Sequence, residues 1–122
     1  MELIHTCYRI TDIDRSVKCY NALGFEERRR MPIGDSATNV FMGLPGDDDR
    51  LELTYNHGVH EYEIGTGYGH IALKVEDLDA TLAQLAELGI DPEKPPYQVR
   101  PGGSRLCFVR DPDSYRVELI DS

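Results

Sequence analysis

With 122 residues, the chain has the length of a single domain, which is long enough to bury a hydrophobic core and too short for two independent ones. A formal net charge of −9 at pH 7 repels phosphate backbones and argues against nucleic acid as a partner. Because no segment approaches the roughly 20 apolar residues of a membrane helix, we expect a cytoplasmic protein without a membrane partner.

The first half of the chain predicts a strand followed by a helix. Residues 4–10 mix apolar and polar positions, as in a short strand with one buried face. Asp12 is placed to cap the helix that follows, which carries apolar residues at helical spacing, namely Ile13, Val17 and Tyr20. Gly24 suits the left-handed residue that ends such a helix. Further strands are predicted after it, separated by the turn-forming segment 42–49.

The second half repeats the first. Residues 70–90 align without gaps onto residues 5–25, so that a strand over 70–75, a helix after Asp77 and a helix end at Gly89 are predicted again. The apolar positions of this helix are Leu78, Leu82, Leu85 and Leu88. A turn at 110–114 separates later strands. The sequence therefore predicts one α+β domain, residues 1–122, built from two βαβββ modules, about 1–64 and 65–122.

Each predicted module begins with a His and ends with a Glu on a strand. Alternate residues of a strand share a face, so a pseudo-twofold packing of the modules would gather four donors, His5, Glu52, His70 and Glu118. Two imidazoles and two carboxylates suit a divalent first-row metal in octahedral geometry, with two positions open to water or substrate. The competing interpretation is a gene duplication whose descendants kept the residues and lost the metal.

Three segments resemble bacterial glyoxalase I of the vicinal oxygen chelate superfamily: residues 51–56 (LELTYN), 65–73 (GTGYGHIAL) and 108–120 (FVRDPDSYRVELI). The similarity runs over almost the whole chain and is closest to the short bacterial type. In this superfamily, His and Glu at both module ends are typical of glyoxalase I, whereas dioxygenases and fosfomycin-modifying enzymes present two His and one Glu. Glu52 is therefore the discriminating residue.

The resemblance implies a reaction. The hemithioacetal of methylglyoxal and glutathione would be isomerised to S-lactoylglutathione by metal-assisted proton transfer through an enediolate. It also implies that Glu118 is the principal base and that Glu52, besides binding the metal, serves the opposite face of the planar intermediate. One Ni²⁺ or Co²⁺ ion per site is expected in preference to Zn²⁺, because the compact chain lacks the extra segments of longer zinc-type enzymes.

The same resemblance implies contacts to the thiol substrate. Arg9 and Asn56 match family positions that contact the glutamyl end, and Arg100 falls where the family has a Lys beside its flexible loop. The chain departs from the family in that loop, which reads Arg-Pro-Gly-Gly over 100–103, and at Ser114, where the family turn has Gly. From the residues alone, an alternative is that Arg9 forms a surface ion pair and that Asn56 ends a strand in a turn.

The resemblance further implies a homodimer with shared active sites, in which His5 and Glu52 of one subunit meet His70 and Glu118 of the other. Two other functions are compatible with this fold. One is a metal-free protein that binds small molecules such as drugs, and the other is a metal-dependent enzyme similar to acyl-coenzyme A epimerases. The sequence also leaves open whether the thiol is glutathione or another small thiol.

Overall fold

A computed structural model describes residues 1–121 and divides the chain into unit 1 (Met1–Tyr62) and unit 2 (Glu63–Ser122). Unit 1 contains β1 (Thr6–Ile10), α1 (Ile13–Ala22), β2 (Glu26–Ile33), β3 (Ala37–Gly43) and β4 (Leu51–Asn56). Unit 2 contains β5 (His70–Val75), α2 (Leu78–Glu87), β6 (Tyr97–Gln98), β7 (Arg105–Arg110) and β8 (Arg116–Asp121). The predicted α+β class with two βαβββ sets is confirmed.

The two units have the same sheet topology. In unit 1 the strands lie in the order β1-β4-β3-β2, with β1 parallel to β4 and the other neighbours antiparallel. In unit 2 the order is β5-β8-β7-β6, and the strand directions repeat those of unit 1. The first and last strands of each unit are therefore hydrogen-bonded neighbours. This pairing places residues from the start and the end of a unit side by side.

Both helices begin and end at the predicted residues. The Asp12 carboxylate accepts a hydrogen bond from the backbone N–H of Arg15 at 3.1 Å, and Asp77 accepts one from Ala80 at 2.9 Å. Such caps satisfy one of the free N–H groups of the first turn. Gly24 and Gly89 follow the helices with φ of +97° and +78°, where a residue with a Cβ would be strained. Neither helix within residues 1–121 has the length and apolar character needed to cross a membrane.

Each sheet has one buried face and one open face. In unit 1 the buried positions alternate along the strands, as at Tyr8 and Ile10 of β1 and at Leu51 and Leu53 of β4. Unit 2 repeats this with Val117 and Leu119 of β8. Burying a side chain of this size contributes about 1.5–3 kcal/mol. Because strand residues alternate, the residues between these positions project from the open face.

Strand β1 is shorter than predicted. The strand was expected over residues 4–10, but the ladder begins at Thr6, whose partner across the sheet is Leu51, the first residue of β4. Because the parallel neighbour β4 begins only at Leu51, residues before Thr6 have no partner for further strand pairing. Instead, the Arg50 side chain donates a hydrogen bond to the Leu3 carbonyl at 3.0 Å. The residue that precedes the strand is His5.

Candidate functional site

The first pair of candidate ligands, His5 and Glu52, meets on the sheet of unit 1. His5 lies directly before β1 and Glu52 is the second residue of β4, where Cys7 is its register partner. The imidazole Nε2 of His5 lies 2.7 Å from Oε2 of Glu52. The His5 side chain is 33% exposed and the Glu52 side chain 14%, so both groups are partly buried and can still be reached from solvent.

The second pair, His70 and Glu118, repeats this arrangement in unit 2. His70 opens β5, as expected, and Glu118 lies in β8 with Ala72 as its register partner. The imidazole Nε2 of His70 lies 3.2 Å from Oε1 of Glu118, and the two side chains are 35% and 17% exposed. A pattern found in the sequence thus reappears as matched geometry in both units.

The donor atoms of both pairs fit a divalent metal. With metal–ligand bonds of about 2.1 Å, two adjacent donors of an octahedral ion lie about 3.0 Å apart. The observed separations of 2.7 and 3.2 Å bracket that spacing. Each unit offers one nitrogen and one carboxylate donor. No group of three or more His, Cys, Asp or Glu side chains arranged to hold a metal ion occurs within residues 1–121.

An aromatic ring and a guanidinium group stand beside each imidazole. Phe41 meets His5 edge-to-face at 6.2 Å between ring centroids, and Phe108 meets His70 at 4.9 Å. Arg29 stacks over Phe41 at 4.1 Å and Arg116 over Phe108 at 3.9 Å. These stacks were not predicted from the sequence. The alignment of the two halves does not reveal them, because one Arg comes from β2 and the other from β8.

Arg116 is held in turn by Glu93. Its guanidinium donates two hydrogen bonds to the Glu93 carboxylate, at 2.9 and 2.7 Å, and Arg110 lies 3.0 Å from the same group. The hydrogen bond from Arg116 lowers the pKa of Glu93 below its ordinary value, and the charges of both arginines act in the same direction. This ion-pair group fixes the guanidinium that covers the Phe108 ring.

A polar network surrounds Glu52, and it too was not predicted from the sequence. The Thr54 hydroxyl lies 3.2 Å from Oε1 of Glu52 and 2.8 Å from Oδ1 of Asn39 on β3. The Cys7 thiol lies 3.4 Å from the same hydroxyl. The period of two along β4 places Thr54 on the face of Glu52 and could have signalled this contact. The cross-strand neighbour Asn39 depends on register, which the sequence did not define.

Two of the three expected substrate contacts share the open face of unit 1 with the first pair. Arg9 is exposed on β1, two residues beyond Cys7, and Asn56 ends β4, where its amide donates a hydrogen bond to the Tyr62 hydroxyl at 2.9 Å. Beside His5, a cleft of about 440 Å³ is also lined by Arg28, Arg29 and Phe41. Polar, aromatic, cationic and acidic groups therefore lie around the first pair, the acidic ones being Glu2, Asp48 and Asp49.

The third expected contact, Arg100, is an exposed residue in the loop between β6 and β7 of unit 2. Its carbonyl accepts a hydrogen bond from the Gly103 N–H at 3.1 Å, closing a tight turn. A Cβ on Gly103 would lie 3.1 Å from the Arg100 side chain and 3.2 Å from its carbonyl oxygen, so a larger residue there would require Arg100 to shift slightly. The chain thus retains the two consecutive glycines of the family loop, at residues 102–103.

The turn between β7 and β8 keeps its form although Ser114 stands where the family has Gly. Ser114 adopts the left-handed conformation, with φ of +74°. The Asp111 carboxylate accepts hydrogen bonds from the backbone N–H groups of Asp113 and Tyr115, both at 2.9 Å. These bonds hold the turn on both sides of the strained residue, and β8 with Glu118 follows directly.

Comparison with protein families gives a match over residues 2–119 to the glyoxalase/bleomycin resistance protein/dioxygenase superfamily. The lactoylglutathione lyase of Haemophilus influenzae is 37% identical over 126 residues, which cover all of this chain and 93% of that protein. The lactoylglutathione lyase of Oryza sativa is 37% identical over 123 residues, covering 97% of this chain and 42% of the rice protein. The chain spans less than half the length of the plant relatives it matches.

Among solved structures, the trypanothione-dependent glyoxalase I of Leishmania major is similar with a TM-score of 0.83 and 36% identity. The match covers 99% of this chain and 86% of that one. The similarity in sequence and in fold thus extends over nearly the whole chain.

Proposed function

This chain belongs to the glyoxalase/bleomycin resistance protein/dioxygenase superfamily, and we propose that within it the protein is a glyoxalase I, a lactoylglutathione lyase. The observation that carries the proposal is the matched geometry of the two pairs, with His and Glu donors 2.7 and 3.2 Å apart. A whole-length relative of similar size, 37% identical, bears the same name.

The proposed substrate is the hemithioacetal of methylglyoxal and a small thiol. The relative from Leishmania major is described as trypanothione-dependent, so the identity of the thiol substrate has to be tested separately from the type of reaction. We propose glutathione as the thiol, with Arg9 as the contact to its glutamyl carboxylate and Asn56 as a hydrogen-bonding partner. Arg100, in a glycine-containing loop, is the proposed anion contact at the other end.

The proposed metal ligands are His5, Glu52, His70 and Glu118, which supply two nitrogen and two oxygen donors. A bound divalent metal would act as a Lewis acid that stabilises the negative charge developing on the substrate oxygens. Glu118 is the proposed principal base, which takes a proton from one carbon of the substrate and returns it to the neighbouring carbon. We propose that Glu52, which belongs to the other pair, would serve the opposite face of the planar intermediate. We propose Ni²⁺ or Co²⁺ as the activating ion.

We further propose a homodimer in which the first pair of one subunit and the second pair of its partner form one site. Each unit carries half of the donor set on the open face of its sheet, with the carboxylates 14% and 17% exposed. A twofold axis then generates two equivalent sites from two chains, because each chain contributes one pair to each of them.

The test is turnover of the methylglyoxal–glutathione hemithioacetal by metal-free protein to which Ni²⁺ is added, followed through thioester formation. We expect no turnover without metal and turnover when nickel is present. The same measurement with trypanothione separates the choice of thiol from the reaction. Metal-free binding of a drug without any turnover, or epimerisation of an acyl-coenzyme A in place of isomerisation, would contradict the proposal.

A further inference from the structure

The two proposed carboxylate ligands have different surroundings. One oxygen of Glu52 faces His5, and the other lies 3.2 Å from the Thr54 hydroxyl. Glu118 likewise faces His70, but within residues 1–121 no second side chain lies at hydrogen-bonding distance from its carboxylate. The two pairs therefore have the same ligand types, but only the carboxylate of Glu52 has a hydroxyl group beside it.

The strand register shows how this difference arises. Thr54 stands two residues after Glu52 on β4, opposite Asn39 of β3, and Cys7 is the register partner of Glu52 itself. The three corresponding positions of unit 2 are filled by Ile120, Leu106 and Ala72. A polar trio thus surrounds one carboxylate, and an apolar trio occupies the equivalent positions around the other.

The hydroxyl of Thr54 has a single proton and two acceptors within reach, Oδ1 of Asn39 at 2.8 Å and Oε1 of Glu52 at 3.2 Å. A carboxylate is nevertheless the stronger acceptor, because its negative charge strengthens the hydrogen bond. Rotating the Asn39 amide by 180° turns its NH₂ group toward the hydroxyl oxygen and frees the proton for Glu52. In that arrangement every partner of the hydroxyl is satisfied.

We propose that Thr54, supported by Asn39, is a positioning residue that fixes Glu52 in the orientation required of a metal ligand. This inference rests on the proposed function and adds to it an asymmetry between the two carboxylates. Glu118, which has no hydroxyl donor within reach among residues 1–121, would be the less restrained of the two carboxylates and so the one better able to act as the base. Outer partners of this kind commonly change metal affinity by about 10- to 100-fold when they are removed.

The test is the affinity of the metal-free protein for Ni²⁺, measured by competition with a fluorescent chelator. Thr54→Val removes the hydroxyl at nearly constant volume and is expected to raise the Kd for Ni²⁺ about tenfold or more. Thr54→Ser restores the hydroxyl and should bind Ni²⁺ within about threefold of the wild type. Thr54→Ala provides a second deletion if the valine variant fails to fold.

Thr38→Val is the matched control. Its hydroxyl lies in the same sheet on β3 but is 2.9 Å from Nε2 of His57, away from the ligand pair, and we expect unchanged nickel affinity. Folded Thr54→Val or Thr54→Ala that binds Ni²⁺ within twofold of the wild type overturns the inference, as does a wild type that binds no nickel. Weakened nickel binding by a protein without isomerase activity would uphold the role of Thr54 and refute the proposed function instead.

Discussion

The imidazole of His5 lies 2.7 Å from the carboxylate of Glu52 because two strands that are distant in sequence run side by side in unit 1. The backbone thus brings the two donors together without requiring a metal to gather them. Preorganisation of this kind lowers the entropic cost of binding an ion. The second pair has the same arrangement, so both halves of the proposed metal site are preorganised.

Glu118→Gln is expected to lower kcat by about 100-fold or more while the protein stays folded. The amide retains an oxygen but cannot accept the substrate proton, and loss of a general base typically costs about 10²–10⁴ in rate. Glu87→Gln is the matched control, because Glu87 is an exposed residue at the end of α2, outside the proposed site. A folded Glu118→Gln variant with near-normal kcat would refute the assignment of the base.

Metal-free protein reconstituted with Ni²⁺ or Co²⁺ is expected to turn over the hemithioacetal faster than protein reconstituted with Zn²⁺. Imidazole and carboxylate donors bind all three ions, so selectivity depends on geometry rather than on donor type. Turnover should be measured with each metal at saturation, with the bound metal quantified by mass spectrometry. Highest turnover with Zn²⁺ would contradict the proposed metal preference.

Arg9→Ala is expected to raise KM for the hemithioacetal about tenfold or more and to change kcat little. A contact to the glutamyl carboxylate is remote from the reacting carbons, so its loss weakens substrate and transition state equally. Arg15→Ala, on the exposed side of α1, removes the same charge elsewhere on unit 1 and should leave KM unchanged. An equal fall in kcat and kcat/KM for Arg9→Ala would assign Arg9 a different role.

Much of the fold could be predicted from the sequence because the same pattern occurs in both halves of the chain. The helix caps Asp12 and Asp77 and the terminal glycines recur at one spacing, and local hydrogen bonding alone decides such features. The start of β1 could not be predicted from local pattern, because it depends on where the neighbouring β4 begins. The ends of a strand depend on the neighbouring strands with which it pairs, and the local sequence does not show which strands those are.

The candidate site likewise contains residues that could be predicted from the sequence and contacts that could not. The residues His5 and Glu52, and their repeats in unit 2, could be singled out because the repeat marks them. The contact between Thr54 and Asn39 could not, because it joins adjacent strands whose register only the fold defines. The metal and the substrate roles of these residues stay predictions.

The stability of unit 2 should depend on pH through Glu93. The hydrogen bond from Arg116 lowers the pKa of Glu93 below its ordinary value, so the ionised form stabilises the folded protein at pH values above that of an unperturbed Glu. That stability is lost as the pH falls through the lowered pKa. The pair is partly exposed, so Glu93→Gln should reduce the free energy of unfolding by less than about 1 kcal/mol at pH of about 7.

The measurement is urea unfolding of the metal-free wild type and Glu93→Gln at several pH values between about 3 and 7. The difference between the two proteins should be greatest near neutral pH and should vanish at the acidic end. Glu87→Gln again serves as the control for the same chemical change on the surface. A difference that is constant over the whole range would show that Glu93 acts through packing instead of charge.

The shared site can be tested by mixing two inactive variants, His5→Ala and His70→Ala, under conditions that allow subunits to exchange. Each variant alone lacks one ligand in every site and is expected to be inactive. In a heterodimer with shared sites, one site collects both defects and the other is wild type. Random exchange makes about half of the dimers heterodimers, so about one quarter of all sites, and of wild-type activity, should return.

The matched control mixes His5→Ala with Glu52→Ala. Both substitutions lie in the first pair, so each site of their heterodimer keeps one defect and no exchange can restore activity. If the four ligands came from a single chain, the mixture of His5→Ala and His70→Ala would behave in the same way, because every site would retain its own defect. Native mass spectrometry establishes that heterodimers have formed. Recovery in the first mixture and none in the second is the outcome that only a site shared between subunits produces, whereas two inactive mixtures containing heterodimers would exclude it.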